Sequence, residues 1–145
     1  MGHAYARNYV HLIFGTKGKC PWIHQPQQLY DCIGGIAKQY AIEVRAIGGT
    51  DDHVHVLAGI PPKLSVAHAV RVMKADSSTW MNESGHLFAW QAGYGAFSVS
   101  ASNVDNVVEY IGRQAEHHRK RSFEDEFKAL LRRHGIGFED RFLWS

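Results

Sequence analysis

Two histidines separated by a single residue are the first part of the sequence that could support chemistry. They lie in the string His53-Val54-His55. On a β-strand alternate side chains share a face, so both imidazoles would point one way while Val54 points into the opposite layer. Two imidazoles side by side on a rigid strand form half of a metal site. A half-exposed polar face of a strand shows the same pattern, and the pair alone is compatible with both interpretations.

A tyrosine and a glutamine four residues apart form the second such feature. Tyr110 and Gln114 lie in the string Tyr-Ile-Gly-Arg-Gln. A helix advances about 100° per residue, so Tyr110, Gln114 and His117 would project together beside the buried stripe of a helix. A phenol and a carboxamide would thus project from one face of the helix at the edge of that stripe. The alternative is a boundary tyrosine with a half-buried ring and a solvated hydroxyl.

Basic residues are concentrated in three stretches. Residues 1–30 and 53–75 contain lysines and arginines but no acidic residue, and residues 110–121 contain Glu116 as their single acid. Local positive charge suits a phosphate backbone, although scattered solvated side chains produce similar stretches. The candidates for contacts to such a backbone are one helical stripe and two lysines after the first predicted strand: His68, Arg71 and Lys74, then Lys17 and Lys19.

Periodicity and turn residues predict the elements that must position these side chains. Strands are expected at 9–14, 42–47, 53–60 and 96–100, and helices at 25–40, 65–82, 102–118 and 123–134. Ser65 is the expected N-cap of the second helix. Ser102 is the expected cap of the third, with Asp105 completing a pattern like a capping box. This order of elements predicts an α+β fold with helices packed on a mainly antiparallel sheet.

Length and composition predict one soluble domain spanning residues 1–145. The chain has 145 residues, of which 45% are hydrophobic and 21% charged, and it shows no internal repeat or low-complexity linker. Its net charge of +2 does not by itself indicate nucleic-acid binding. Cys20 and Cys32 are too few for a disulfide framework and are typical of reduced cytosolic thiols. Without a signal peptide or a membrane-length apolar run, the protein is expected to be cytoplasmic and to have no membrane partner.

Taken together, the motifs resemble the HUH-type single-tyrosine transposases of bacterial insertion sequences and their REP-associated relatives. The string HVHVL, after Gly48-Gly49-Thr50-Asp51-Asp52, resembles the HUH motif. The segment QAGYGAFSVS and the later VVEYIGRQAEHHRKRSFEDEF are similar to these single-stranded DNA transposases. The resemblance extends from about Tyr9 to Trp144, and motif order and spacing both match.

This resemblance implies a ferredoxin-like or RRM-like fold and a set of roles. Tyr110 would be the nucleophile, and the metal ligands would be His53, His55 and Gln114. Related HUH nucleases use a third histidine, which makes His117 a candidate for an additional contact to metal or phosphate, whereas His118 is expected to be structural. The implied cofactor is Mg²⁺, with Mn²⁺ as a substitute. The implied partners are single-stranded DNA with hairpin ends and a second copy of the chain. In such a homodimer the two subunits could share their active sites. The protein would act on DNA of the nucleoid.

The same resemblance implies a mechanism. A phenol, with a pKa of about 10, is a poor nucleophile at neutral pH, and a divalent metal would polarise the scissile phosphate. Attack by Tyr110 would release a 3′-hydroxyl and leave a 5′-phosphotyrosine. Because the phosphodiester energy is retained, rejoining would need no ATP, in agreement with the absence of a GxxxxGK(S/T) loop.

Other functions remain as alternatives to a mobile-element transposase. A domesticated repeat-processing HUH nuclease is the nearest, whereas the short chain argues against a rolling-circle initiator with a helicase domain. A non-catalytic RRM-like binder of single strands would need exposed aromatics such as Tyr9 and Phe14, and it leaves the histidine pair and Tyr110 unexplained. A zinc deaminase is excluded because the sequence lacks H-x-E and P-C-x-x-C.

Overall fold

Four strands form one antiparallel sheet, seen in a computed structural model that describes residues 2–144. The strands are β1 (Tyr9–Gly15), β2 (Glu43–Gly49), β3 (His53–Gly59) and β4 (Gly95–Val99). Their order across the sheet is β2-β3-β1-β4, so the two central strands come from distant parts of the sequence. In the register of the central pair, His55 lies opposite Ile13 and His53 opposite Gly15.

Helices complete the fold on both faces of the sheet. Two long helices, α1 (Pro26–Gln39) and α2 (Val66–Glu83), connect the strands, and the other four follow β4. The last four are α3 (Val104–Gly112), α4 (Gln114–His117), α5 (Phe123–Arg133) and α6 (Asp140–Leu143). The order β1-α1-β2-β3-α2-β4 with this strand arrangement is ferredoxin-like, and the predicted α+β fold class is confirmed.

The two faces of the sheet differ in chemistry because side chains alternate along each strand. Val54 and Val56 of β3 lie in the apolar core that contains the buried faces of α1 and α2. His53, His55 and Leu57 face the opposite layer, where α3 and α5 pack. The expected separation of the histidines from the valines is therefore confirmed.

The predicted helix from 102 to about 118 is wrong in two respects. It is interrupted after Gly112, where Arg113 has φ −106° and ψ 21°, and its amide donates to the Tyr110 carbonyl instead of continuing the α-helical pattern. Glycine is a weak helix former, which accounts for the position of the break. Ser102 lies in a short 3₁₀ turn, Ala101–Asn103, and does not cap α3, whose N-cap Asn103 makes no capping hydrogen bond from its side chain.

The N-caps of α2 and α5 are serines whose side chains accept hydrogen bonds from backbone amides of the first turn. Ser65 accepts from the His68 amide at 3.0 Å, which confirms the predicted start of α2. Ser122 accepts from the Asp125 amide at 3.1 Å and so fixes the start of α5. Among the described residues, none of the helices has the length and apolarity that a membrane crossing requires.

Candidate active site

The histidine pair is buried between the sheet and the C-terminal helices. The side chains of His53 and His55 are each 0% exposed. The interpretation as a half-exposed polar face is therefore wrong. Buried imidazoles require hydrogen-bond partners, and each ring has partners on both nitrogens.

Neighbouring residues orient each imidazole through its Nδ1 atom. His53 Nδ1–H donates to Asp52 Oδ1 at 2.8 Å, and Thr50 Oγ1 lies 3.0 Å from the same nitrogen. His55 Nδ1 shares a hydrogen bond of 2.7 Å with Nε2 of His11. Such contacts fix the tautomer and the ring orientation in metal sites. They leave the two Nε2 atoms to face the interior of the site.

Both Nε2 atoms face a carboxylate that the sequence analysis missed, that of Glu126 in α5. Glu126 is 1% exposed, and its Oε1 lies 3.1 Å from His55 Nε2 and 3.6 Å from His53 Nε2. One ligand atom from each of these three residues lies within 4.8 Å of the others, an arrangement that could hold a metal ion. One signal in the sequence could have identified Glu126. It falls in the stripe that α5 buries, with Phe123, Phe127 and Leu130 at helical spacing.

Gln114 and His118 complete this cluster. The Gln114 side chain is 1% exposed, its Oε1 lies 3.1 Å from His53 Nε2, and its Nε2 donates to Glu126 Oε2 at 3.1 Å. His118 Nε2 lies 3.0 Å from Gln114 Oε1 and 3.2 Å from Glu126 Oε1. A carboxamide oxygen, a carboxylate and three imidazoles therefore converge on one volume.

Tyr110 lies at the edge of the same cluster. Its hydroxyl donates a hydrogen bond to Glu126 Oε2, and its ring centroid is 6.0 Å from that of His55. The side chain is half-buried, as a boundary tyrosine would be, but its hydroxyl has a buried acceptor. The tyrosine and the histidine pair of one chain thus meet without a second subunit.

His117 lies beside Tyr110, as the helical spacing predicted, whereas His118 does not lie where the sequence placed it. His117 stacks on the Tyr110 ring at 4.6 Å and 28°, and its Nε2 is buried without a hydrogen-bond partner among the described residues. His118, expected to be structural, reaches the cluster and lies 4.6 Å from the His53 ring. His118 follows Gln114 by one helical turn, and both side chains contact Glu126. A phosphate contact by His117 stays a prediction.

Burial and hydrogen bonding set the charges in the cluster. Burial lowers the pKa of His55 to about 4, despite the opposing Glu126 carboxylate. Burial raises the pKa of Glu126, but hydrogen bonds from His53 and His55 outweigh it and hold that pKa below its usual range. Burial, followed by the Glu126 carboxylate, raises the pKa of Tyr110. At neutral pH the cluster thus presents a neutral His55 and an ionised carboxylate, the protonation states that bind a divalent cation.

His53 differs from His55 because it has more acceptors. Burial lowers its pKa, but hydrogen bonds with Asp52, Glu126 and Gln114 outweigh that effect and raise the pKa above the usual value. Next to His55, His11 is 4% exposed, and burial with the neighbouring His55 lowers the His11 pKa to about 3. His11 is a second residue that the sequence analysis missed. Its only signal was a polar side chain within an apolar strand.

The residues proposed to contact DNA have different surroundings. Arg71 is exposed and His68 is half-buried, and Arg71 Nη2 lies 3.2 Å from His68 Nδ1. The Lys74 ammonium instead donates to the carbonyl oxygens of residues 91, 92 and 93. Lys74 therefore has a structural function in holding this loop against α2. With three acceptors already, Lys74 is a weaker candidate for a DNA contact than Arg71, and that contact stays a prediction.

Two lysines follow β1 in a short 3₁₀ helix, Lys17–Lys19. Lys19 is partly engaged, since its Nζ lies 3.3 Å from Glu124 Oε2 and 4.4 Å from the centroid of the Trp144 ring. Lys17 is exposed and forms no ion pair with a described residue. Of this pair, Lys17 is the freer candidate for a phosphate contact.

The sheet does not offer the stacking surface that a non-catalytic RRM-like binder needs. Tyr9 and Phe14 are 8% and 1% exposed, respectively. Helices cover both faces of the sheet at these positions. The structure therefore contradicts the use of these two rings as platforms for bases.

Comparisons with known proteins find a matching family and two solved structures with a similar fold. A family model described as "Transposase IS200 like" matches residues 4–114. A candidate transposase from Deinococcus radiodurans R1, known from a crystal structure, has 26% sequence identity to this chain and a TM-score of 0.62. The match covers 79% of this chain and 96% of that one. A REP-associated tyrosine transposase, solved with a REP hairpin, shares the fold at a TM-score of 0.62 and 15% identity, over 81% of this chain and 73% of that one. No curated protein sequence matches the chain.

Proposed function

The chain belongs to the IS200-like transposase family, and on that premise we propose that it cleaves and rejoins single-stranded DNA with Tyr110 as its nucleophile. One observation carries the proposal. The Tyr110 hydroxyl donates to Glu126, and the other oxygen of that carboxylate faces Nε2 of both His53 and His55. A nucleophile and a metal-binding group therefore occupy one buried cluster, as a phosphoryl-transfer site requires.

The donor atoms fit a divalent cation. We propose His53, His55 and Gln114 as ligands, and we add the Glu126 carboxylate, which supplies a charged oxygen. This addition matters because two imidazoles and a carboxamide alone are an unusual set for Mg²⁺, whereas carboxylate oxygen suits both Mg²⁺ and Mn²⁺. A bound cation would act as a Lewis acid on a non-bridging oxygen of the scissile phosphate.

The protein residues carry out the transfer itself. Tyr110 Oη forms a bond to phosphorus, the bond from phosphorus to the 3′-oxygen breaks, and the products are a 5′-phosphotyrosine and a 3′-hydroxyl. Glu126 Oε2 already accepts the Tyr110 hydrogen bond and is placed to receive its proton, and a proton from solvent converts the leaving 3′-oxygen into the hydroxyl. In the reverse step a 3′-hydroxyl attacks the phosphotyrosine, which restores the phosphodiester without ATP.

Single-stranded DNA with hairpin ends is the proposed substrate. The resemblance of the sequence implies it, and the REP-associated neighbour was solved with a REP hairpin. The active form is proposed to be a homodimer acting on nucleoid DNA in the cytoplasm.

The proposal predicts a covalent adduct between the protein and DNA. Wild-type protein, a labelled single strand carrying the element ends and Mg²⁺ or Mn²⁺ should give a species that survives SDS and heat on a denaturing gel. Tyr110→Phe removes one oxygen and keeps the ring, so the adduct should vanish while hairpin binding persists. Tyr94→Phe, at an exposed tyrosine between two glycines, is the matched control and should form the adduct. An adduct with Tyr110→Phe, or wild-type cleavage that leaves a free 5′-phosphate, would contradict the assignment.

A further inference from the structure

A cavity of about 270 Å³ adjoins Tyr110 on the site face of the sheet. It lies between β4, α3 and α5, and none of the metal-binding residues His53, His55 and Glu126 lines it. The cavity is therefore separate from the metal-binding atoms, although Tyr110 belongs to both. The proposed cleavage and rejoining steps assign no role to this cavity.

Aromatic rings form much of its surface. His11, Phe97, Tyr110 and His134 all line the cavity. Phe97 and His134 are stacked with centroids 4.4 Å apart at 29°, and His11 meets Tyr110 edge to face at 6.1 Å and 72°. Phe97 and His11 are 2% and 4% exposed, so they are part of the packed wall. Tyr110 is half-buried and His134 is exposed, and these two rings are the ones on which a single-stranded base can stack.

A pair of asparagines at the start of α3 adds hydrogen-bonding groups. Asn106 Nδ2 donates to Asn103 Oδ1 at 3.0 Å, which aligns the two carboxamides. Within residues 2–144, no further hydrogen bond reaches Asn106 Oδ1 or Asn103 Nδ2. One acceptor and one donor therefore remain available side by side, the combination that binds the edge of a base.

An arginine without an acidic partner completes the lining. Arg133 contributes to the cavity, and it forms no ion pair with any residue that the structure describes. Its neighbour Arg132 instead lies over the Phe138 ring, 5.4 Å from the centroid. A free guanidinium beside an aromatic cavity suits a phosphate group attached to a base.

We propose that this cavity binds the base of the nucleotide next to the phosphate that Tyr110 attacks. Asn103 and Asn106 read the edge of that base, and Arg133 contacts its neighbouring phosphate. The inference rests on the proposed function, because Tyr110 lines the cavity and any strand that reaches its hydroxyl brings an adjacent nucleotide to the opening. The volume is below the usual range for small-molecule pockets, so it admits a single base and not a base pair. The cavity thus also favours single-stranded substrates.

Titration with free nucleotides tests the cavity without any cleavage. The probes are the four deoxynucleoside 5′-monophosphates, added to the metal-free full chain and followed by NMR. The side-chain amide resonances of Asn103 and Asn106 should shift, and one base should act at the lowest concentration. Arg133→Ala should weaken this binding about tenfold, whereas Arg132→Ala, the matched control, should not. Equal shifts with deoxyribose 5-phosphate, or no shifts with any nucleotide, would overturn the proposal.

Cleavage of a pool of single strands with a randomised internal segment tests the role in specificity. Sequencing of the protein-linked ends and of the released ends should show one base enriched roughly ten- to hundredfold at a position that adjoins the cleaved bond. Asn106→Ala should remove most of that preference while the adduct still forms. If the wild type cleaves with no base preference on either side of the cleaved bond, the inference about the cavity is wrong and the proposed function still stands. If no strand is cleaved, the proposed function fails, and the nucleotide titration alone decides whether the cavity binds a base.

Discussion

At the scale of single residues, the main addition of the structure is Glu126. Its carboxylate contacts His55 and, through its second oxygen, the Tyr110 hydroxyl. The sequence places Glu126 71 positions after His55 and 16 after Tyr110. No local pattern connects residues that distant. The histidine pair could be predicted because strand alternation is a local property, whereas the carboxylate that faces it depends on how α5 docks.

Replacing Glu126 by glutamine should weaken metal binding roughly tenfold or more, because the only charged oxygen of the proposed ligand set is lost. Titration calorimetry with Mn²⁺ at fixed pH measures the affinity. Glu124→Gln, on the same helix but at the surface with Lys19 and Lys128, is the matched control and should bind as the wild type does. Unchanged Mn²⁺ affinity in Glu126→Gln would leave Glu126 as a partner of Tyr110 alone.

At the scale of elements, α3 determines where Tyr110 lies, and it packs closely on β2. A Cβ atom at Gly48 would clash with the backbone carbonyl oxygen of Ile111, which follows Tyr110 directly. This close approach explains why a glycine suits the strand at that position. The position of Tyr110 therefore depends on Gly48 of β2, which has no Cβ atom.

Gly48→Ala should push α3 away from the sheet. The free energy of unfolding should fall by about 1–3 kcal/mol through overpacking, and the yield of covalent adduct should fall with it. Urea unfolding and the denaturing gel measure the two effects. In Gly35→Ala, at an exposed position of α1, the new Cβ meets no heavy atom within 4 Å, so that control should keep full adduct yield and gain up to about 1 kcal/mol. Full adduct yield in Gly48→Ala would show that α3 tolerates the shift.

Helix α2 shows how two basic residues on one helix can differ in function. Lys74 donates to three carbonyl oxygens of the loop before β4, whereas Arg71 is exposed. Arg71→Ala should therefore lower the slope of log K against log salt by about one for single-stranded DNA, as measured by fluorescence anisotropy. Lys74→Met should leave that slope unchanged and reduce the free energy of unfolding by about 1–3 kcal/mol. A flatter slope in Lys74→Met would return Lys74 to the binding surface.

The interruption at Arg113 marks the limit of prediction at this scale. Hydrophobic periodicity predicts the four strands, and it predicts that residues 104–112 are helical, because these patterns reflect burial on one face. Hydrophobic periodicity continues through Gly112 and does not locate the break. The contact of His118 with Glu126 could not be predicted, because Glu126 belongs to another helix. Tertiary contacts of Gln114 and His118 with Glu126 hold the broken geometry.

At the scale of the whole molecule, burial of histidines makes the stability of the metal-free protein depend on pH. His11 and His55 have folded pKa values of about 3 and about 4, below the usual 6.5. Between pH 6.5 and 4 the unfolded chain binds protons that the folded chain does not, so stability falls as pH falls through this range. The raised pKa of His53 acts with the opposite sign, contributing stability at low pH that is lost as pH rises through its folded value. The lowered pKa values of Asp52 and Glu126 act in the same direction as those of His11 and His55, so the net effect is a loss of stability toward acid.

The free energy of unfolding of the metal-free protein should therefore decrease from pH 6.5 to pH 4. His11→Phe should make this dependence shallower by about 1.4 kcal/mol per pH unit, the contribution of one proton. Urea unfolding at several pH values measures both slopes. Identical slopes for the wild type and His11→Phe would show that His11 binds a proton in the folded state.

The alternation of valine and histidine along β3 makes stability and activity depend on the same strand register. A slip of β3 by one residue would carry both imidazoles into the apolar layer under α1 and α2 and turn the valines toward Tyr110. Such a molecule would lose its core together with its site. The register that buries the valines is also the register that directs the histidines toward Tyr110. A chain that folds stably therefore has its histidines correctly oriented. A selection for stability alone would, for the same reason, retain the orientation on which the chemistry depends.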